Sequence, residues 1–263
     1  MTTLTTKHQR LAALRPLFPE SVASLAAAWG VRMVYESNSI EGNSLTLRET
    51  ELVLSKGVTV SGKPLKDHLE AVNLALAWDR VKALAQPGSL LTERDLLDLH
   101  QILLTRIQDG TNGSYRTYAV RVGGSNHVPP NAVKVPDLMA GLFAGLPAIA
   151  DPVERAARLH HGIASIHPFI DGNGRAARLA MNFILLAAGY PPISIPTGLL
   201  QDYYNPLEAE AADTGDFQTW QNFIVHLLDQ ELDQWLSALE ETQDARLEDP
   251  RENSASHPLS NDL

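Results

Sequence analysis

One short segment carries the side chains best suited to chemistry: HPFIDGNGRAAR, residues 167–178. Apolar spacing on both sides places it between a helix that ends near Ile166 and a helix that begins near Arg175. The glycines on either side of Asn173 allow successive backbone N–H groups to turn inward and form an anion-binding nest. The segment also leads into a helix N-terminus, where free N–H groups and the helix dipole attract anions. It therefore predicts a phosphate-binding loop.

The charged side chains of the same segment extend this prediction to a metal and a base. Arg175 and Arg178 are three residues apart at the start of the helix, and guanidinium groups match phosphate oxygens. Asp171 offers a carboxylate of the kind through which Mg²⁺ binds beside phosphates. His167 titrates near neutral pH and can accept a proton from a hydroxyl. Together these residues predict a magnesium–polyphosphate site with a general base beside it.

The segment resembles the active-site motif of the Fic family, HxFx(D/E)GNGRxxR, at every position. The resemblance continues into MNFILLAAGYPPISI, and it includes His127-Val-Pro-Pro130 and an upstream Ser37–Gly42, so that it covers roughly residues 20 to 240. It implies an all-α Fic-fold helical bundle with a short β-hairpin flap. It also implies a protein adenylyltransferase that transfers AMP from ATP to a Ser, Thr or Tyr hydroxyl of a target protein and releases pyrophosphate.

The resemblance implies a role for each matching residue. His167 would deprotonate the target hydroxyl, Asp171 would hold Mg²⁺, and Phe169 would anchor the loop from below. The ATP phosphates would be bound by the rest of the loop and the following helix: Gly172, Asn173, Gly174, Arg175 and Arg178. Tyr203 falls where relatives place an aromatic ring near the adenine. Residues 118–130 resemble the family flap, which aligns the target and would include Gly124, Asn126 and His127.

An upstream segment resembles the family's inhibitory pattern, (S/T)xxxE(G/N), through Ser37, Glu41 and Gly42. The resemblance implies that Glu41 pairs with Arg178 and holds the phosphates of ATP in a non-productive arrangement. A second role for Glu41 stays open, since this glutamate can also position a water that removes AMP from a modified target. The chain would then be a de-AMPylase or a bifunctional enzyme.

The rest of the sequence reads as a series of helices. Thr46 and Glu49 form a capping-box pattern before a helix that starts near Leu47, and Thr92 caps another. Further helices are predicted at about 22–36, 67–84, 135–143, 153–166, 175–188 and 216–239. Alternation in 118–122, followed by turn residues, predicts a short exposed hairpin. We predict an N-terminal helical region at 1–85, a Fic core at 86–240 and an acidic, disordered tail at 241–263.

Composition excludes several other classes of protein. The chain has 263 residues, a net charge of -10 and no cysteine, which rules out disulfides, thiolate catalysis and cysteine-ligated metals. The acidic balance argues against nucleic-acid binding. The N-terminus lacks a signal-peptide pattern, and the apolar stretch from Leu179 to Leu200 is too interrupted to span a bilayer. We expect a cytoplasmic protein without membrane or nucleic-acid partners.

Three further interpretations compete with the adenylyltransferase. The segment Gly57–Pro64 resembles a P-loop but has Pro64 where the Ser or Thr must follow the lysine. A metal hydrolase using His160, His161 and His167 lacks an HExxH pattern and a defined further ligand. A non-catalytic Fic interaction module is disfavoured by the intact motif. The base of the nucleotide, other transferred groups such as UMP, phosphocholine or phosphate, and a homodimer are left open.

Overall fold

Helices form nearly all of the regular structure in this chain. The computed structural model describes residues 3–15, 19–108, 110–123, 125, 127–211 and 217–248. Within these ranges the fold is all-α, as predicted, and it contains no β-strand. The helices are α1 Thr3–Ala13, α2 Pro19–Ile40, α3 Leu47–Lys56, α4 Leu65–Leu84, α5 Glu93–Leu103, α6 Val135–Gly145, α7 Pro152–Ile166, α8 Asn173–Ala187, α9 Leu200–Ala211 and α10 Phe217–Glu248. Short 3-10 helices lie at Ala132–Lys134, Leu146–Ala148 and Thr197–Leu199.

Capping residues set the start of two helices where the sequence predicted them. At α3, the Thr46 hydroxyl accepts from the Glu49 N–H at 3.2 Å, and the Glu49 carboxylate accepts from the Thr46 N–H at 2.8 Å. Thr92 and Asp95 form the same reciprocal pair at α5. Each pair satisfies N–H groups that a helix start would otherwise leave without a partner. Both predicted starts are confirmed.

Helix α8 occupies the centre of the fold. Its side chains are buried along most of its length, from Asn173 to Leu186. It packs most extensively against α7 and also contacts α4 and α5. Helix α10 closes another side with buried Trp220, Leu228 and Leu232. The predicted phosphate-binding loop, residues 167–172, joins the end of α7 to the start of α8. These two packed helices therefore hold the loop in place.

Helix α2 is longer than the sequence pattern indicated. The apolar spacing predicted a helix to about residue 36, but α2 continues to Ile40, so Ser37 lies in its last turn. Arg32 of α2 forms a salt bridge with Glu231 of α10. Glu36 accepts a hydrogen bond from the Ser194 hydroxyl. These contacts attach the C-terminal half of α2 to the core.

Two predictions of local structure were wrong. The 118–130 segment contains no β-ladder in its described part, and Pro129 and Pro130 lack the N–H groups that a pairing strand would donate. A hairpin without a third strand is also only marginally stable. The predicted tail from 241 is helical through Glu248, because α10 continues past Glu240. The tail residues 249–263 lie outside the described ranges. No helix in those ranges is both long and apolar enough to cross a membrane.

Candidate active site

His167 lies at the junction of α7 and the loop. It caps α7 in a left-handed conformation, with φ of 50°, and its N–H donates to the Ile163 carbonyl at 2.9 Å. Burial lowers the pKa of the His167 imidazole, and the charges of Arg116 and His127 lower it further, against a hydrogen bond to the backbone of Ala164 and the charge of Glu41. A neutral imidazole at pH 7 is the form that can accept a proton.

Phe169 and Asn173 give the loop its shape. Phe169 is fully buried, and its N–H donates to the Asn173 side-chain oxygen at 2.8 Å. The Asn173 side-chain amide donates back to the Phe169 carbonyl at 3.0 Å. Both polar atoms of this side chain are therefore used inside the loop. Asn173 is left to face a phosphate through its backbone, while Phe169 takes the buried position expected of it.

His100 supports the loop from α5, although it was not among the predicted site residues. Its ring stacks on Phe169 with centroids 3.6 Å apart. The Gly113 N–H donates to Nδ1 at 2.9 Å, so Nε2 carries the proton and donates to the Asp171 carbonyl at 2.9 Å. Burial lowers the pKa of His100 to about 4. The ring is therefore neutral at pH 7, as both hydrogen bonds require.

Two glycines allow close approach at the start of α8. Gly172 precedes the helix with φ of 77°, a conformation that favours glycine. A Cβ on Gly174 would collide with Glu41 Oε1 and lie 2.9 Å from Arg178 Nη1. The Glu41 carboxylate thus lies directly over the first turn of α8, where the helix N-terminus attracts an anion.

Arg178 is held by three residues, two at the end of α2 and one on α9. It is 5% exposed. Its Nε donates to Ser37 Oγ at 2.8 Å, and Nη2 donates to the Ser37 carbonyl at 2.9 Å and to Glu41 Oε1 at 2.7 Å. Its Nη1 donates to the Tyr203 hydroxyl at 3.4 Å. The predicted inhibitory residues Ser37 and Glu41 therefore meet the arginine that was expected to bind an outer phosphate. Gly42 ends the segment with φ of 86°.

Arg175 lies apart from this group, although the motif gave it a similar role. It is 1% exposed, with Nη1 3.1 Å from Glu70 Oε1 and Nη2 3.4 Å from Asp171 Oδ1. It is not among the residues that line the cleft at the start of α8. Its guanidinium instead orients the Asp171 carboxylate from behind.

Tyr203 lies beneath Arg178. It is 2% exposed, and its hydroxyl is 3.1 Å from His160 Nε2. Burial raises the pKa of Tyr203 to about 12, so the hydroxyl keeps its proton. The side chain supports Arg178 rather than presenting a free ring face. The neighbouring Tyr204 is half-buried and lines the cleft.

Of the three predicted flap residues, only His127 lies within the described ranges; Gly124 and Asn126 fall outside them. His127 Nε2 is 2.7 Å from the Ser165 carbonyl. Arg116, which sequence reasoning also missed, donates from Nε to the His167 carbonyl at 2.8 Å. The sequence contains little local indication of this contact, because Arg116 lies 51 residues before His167.

These elements surround one cleft of about 680 Å³, a volume typical of ligand pockets. It is lined by residues of the inhibitory segment, the 118–130 segment, the loop and α9, among them Glu41, His127, His167, Asp171, Gly172, Asn173, Gly174, Arg178 and Tyr203. No three His, Cys, Asp or Glu side chains converge as a metal-ligand set in the described part of the chain. His160, 0% exposed, contacts Tyr203, and His161 contacts Ser165 at 3.2 Å. The cleft combines a neutral imidazole with an anion-binding helix start.

Comparison with known proteins shows which proteins share this sequence pattern and this fold. Residues 90–185 match the Fic/DOC family. A Fic domain containing signaling protein from Bacteroides thetaiotaomicron superimposes with a TM-score of 0.83 at 27% identity, covering 91% of this chain and 97% of that one. Fic-1 from C. elegans shares the fold, with a TM-score of 0.79 at 24% identity over 91% of this chain and 72% of its own. Residues 90–185 therefore form a Fic/DOC family region within a chain that has the fold of Fic domain proteins.

Relatives with a stated activity match a longer part of the chain than the family model does. The protein adenylyltransferase Fic of Drosophila willistoni is 36% identical over 209 residues, which are 78% of this chain and 41% of that protein. The chain spans about two fifths of the length of the curated relatives that it matches.

Proposed function

We propose that this chain transfers AMP from ATP to a Ser, Thr or Tyr hydroxyl of a target protein, with release of pyrophosphate. One observation carries the proposal: a neutral His167, the N-terminus of α8 and Arg178 all border one cleft. The relatives named adenylyltransferases support the same reaction. A chain without cysteine suits the reducing conditions of the cytoplasm, the proposed setting.

In the proposed reaction, His167 takes the proton of the target hydroxyl, whose oxygen then bonds to the α-phosphorus of ATP. The bond from this phosphorus to the bridging oxygen breaks, and pyrophosphate leaves. The backbone N–H groups of residues 172–174 and the start of α8 would stabilise the phosphates. Arg178 would hold the outermost phosphate with its guanidinium.

Asp171 is the residue suited to hold Mg²⁺. Its side chain is 39% exposed, and Oδ1 accepts from the Gly172 N–H at 2.6 Å while facing Arg175 at 3.4 Å. One anchored carboxylate at the mouth of the cleft fits an ion that binds mainly through phosphates and water. When bound, Mg²⁺ neutralises phosphate charge.

Glu41 is proposed to hold this activity back. Its carboxylate accepts a hydrogen bond from Nη2 of Arg178 and covers the first turn of α8. It therefore competes with an outer phosphate for the guanidinium and for the helix N-terminus. Productive placement of ATP then requires Arg178 to exchange a carboxylate for a phosphate.

A second candidate function is removal of AMP from a modified target. It is favoured by one observation: the Glu41 side chain, 28% exposed, borders the same cleft as His167. A carboxylate so placed can orient a water for attack on a phosphodiester. Both functions would use this cleft, but removal of AMP is a hydrolysis by water that releases AMP, not the reverse of transfer from ATP.

The test compares wild type with Glu41→Gly and His167→Ala, each incubated with Mg²⁺, α-labelled ATP and cell extract. We expect strong protein labelling by Glu41→Gly, weak labelling by wild type and none by His167→Ala. Glu51→Gly is the matched control, because it removes the same charge from an exposed position on α3. If no variant labels protein, AMP transfer is refuted. Release of AMP from a labelled protein by wild type but not by Glu41→Gly would favour the second function.

A further inference from the structure

Arg116 is a buried arginine whose partners are backbone carbonyls. It is 2% exposed. Its Nε donates to the His167 carbonyl at 2.8 Å, and Nη2 lies 3.4 Å from the Ile166 carbonyl. Its own N–H donates to the Pro168 carbonyl at 2.9 Å. One residue thus holds three consecutive carbonyls across the end of α7, including that of the proposed base.

The same guanidinium holds the 118–130 segment near both of its ends. Nη1 donates to the Tyr118 carbonyl at 3.0 Å, and Nη2 donates to the Pro130 carbonyl at 2.6 Å. No β-ladder is present to fix the described part of this segment. Arg116 therefore replaces a ladder with side-chain hydrogen bonds. The planar fork of an arginine can satisfy several carbonyls in this way, whereas a lysine ammonium cannot match its geometry.

Among the described side chains, no acidic group acts on the charge of Arg116, and burial lowers its pKa. It is balanced by the carbonyls at the C-terminus of α7, where the helix dipole is negative. Because the charge stays uncompensated by a carboxylate, it acts on the His167 imidazole and lowers its pKa. The other charged or titratable groups that act on this imidazole are His127 and Glu41.

We propose that Arg116 is a positioning residue that fixes His167 and the 118–130 segment as one unit. The backbone of the base and the segment that faces the target would then move together, and loss of Arg116 would release both. The role in target alignment rests on the proposed function. The link between His167 and the 118–130 segment does not depend on the proposed function, so the link and the role in target alignment can be tested separately.

The first test measures hydrogen exchange of the full chain by mass spectrometry. In Arg116→Met, peptides covering 114–132 and 163–174 should both exchange at least about tenfold faster, since several hydrogen bonds are lost at once. Arg116→Lys should loosen the same two peptides to a smaller extent. The control is Arg155→Met, which removes another arginine that binds a carbonyl, that of Ile149, at the start of α7. Faster exchange in only one of the two peptides, or equal loosening by the control, would overturn the proposal.

The second test measures the effect of the Arg116 charge on the pKa of His167, rather than the effect of the Arg116 hydrogen bonds. The His167 imidazole is titrated by NMR and identified by the signal missing from His167→Ala. Arg116→Met should raise the pKa of His167, while Arg116→Lys should leave it near the wild-type value because the charge remains. An unchanged pKa in Arg116→Met, or the same rise in both variants, would contradict the assigned position of the charge. If Arg116→Met does not fold, Arg116→Gln replaces it in both tests.

The third test links the residue to turnover in the Glu41→Gly background. AMP transfer should fail as pH falls and His167 becomes protonated, and this acid limb should move to higher pH in Arg116→Met but not in Arg116→Lys. Absence of AMP transfer in every variant would refute the proposed function. The positioning role of Arg116 would then be decided by the hydrogen-exchange and NMR results alone. Transfer with an unmoved acid limb would instead refute the effect of Arg116 on the base.

Discussion

Replacing Glu41 by glutamine separates two ways in which this residue could inhibit. The carboxylate makes one charge-assisted hydrogen bond to Arg178, with Oε1 2.7 Å from Nη2. It also occupies space over Gly174, where an added Cβ would collide with it. Glutamine keeps the size of the side chain and removes its charge. Glycine removes both the charge and the volume.

The size of the effect follows from the contact. A hydrogen bond between charged groups contributes about 1.5–3 kcal/mol, whereas a neutral bond contributes about 0.5–1.5 kcal/mol. Arg178 is almost completely buried and the Glu41 side chain is 28% exposed, so solvent screens the pair only partly. If this bond sets the barrier to productive ATP placement, Glu41→Gly raises AMP transfer by about tenfold to a hundredfold. Glu41→Gln should reach an intermediate rate, several-fold above wild type.

The assay is the initial rate of label transfer at saturating Mg²⁺ and α-labelled ATP, with equal protein concentrations. Ser37→Ala serves as a companion variant, because it removes one hydrogen bond to Arg178 Nε and leaves the Glu41 pair intact. A rate for Glu41→Gln equal to that of wild type would refute the argument from charge, since occupied space alone would then account for inhibition. A rate equal to that of Glu41→Gly would instead show that the charge accounts for all of it.

Three further predictions concern the loop. Burial lowers the pKa of His100 to about 4, below its unfolded value of 6.5, so its contribution to stability is complete above pH 6.5 and is lost as pH falls towards 4. The free energy of unfolding should therefore drop by about 2 kcal/mol more between pH 7 and 5 in wild type than in His100→Gln, and equal slopes would contradict this. Phe169→Ala should cost about 3–5 kcal/mol in chemical denaturation, because Phe169 is fully buried, whereas Val133→Ala at an 84% exposed position should cost little. Asp171→Asn should raise the Mg²⁺ concentration needed for half-maximal transfer, and an unchanged requirement would place the ion elsewhere.

Local patterns in the sequence predicted much of this structure. The capping boxes at Thr46 and Thr92 depend on residues three positions apart, so their chemistry can be read directly. The same holds for the loop at 167–172, which lies between two helices of clear apolar spacing. Helix α9 was missed because Pro206 lies inside it and signals a break in any sequence pattern.

The parts that could not be predicted depend on distant contacts. Nothing near Arg175 distinguishes it from Arg178, yet in the structure Arg175 pairs with Glu70 on α4 whereas Arg178 pairs with Glu41. The stack of His100 on Phe169 likewise joins residues on separate helices. Such pairings are set by how the helices pack together, and a single sequence carries no local signal for them.

The position of Glu41 at the end of α2 has a consequence for how inhibition would respond to ATP. A carboxylate attached to the same chain competes with phosphate as an intramolecular ligand, at an effective concentration set by its tether. Here the tether is a helix attached to the core through Arg32 and Glu36, so that concentration is high and fixed. Additional ATP would therefore relieve inhibition only weakly. A small shift of α2 would relieve it strongly, because the carboxylate would then lie away from Arg178.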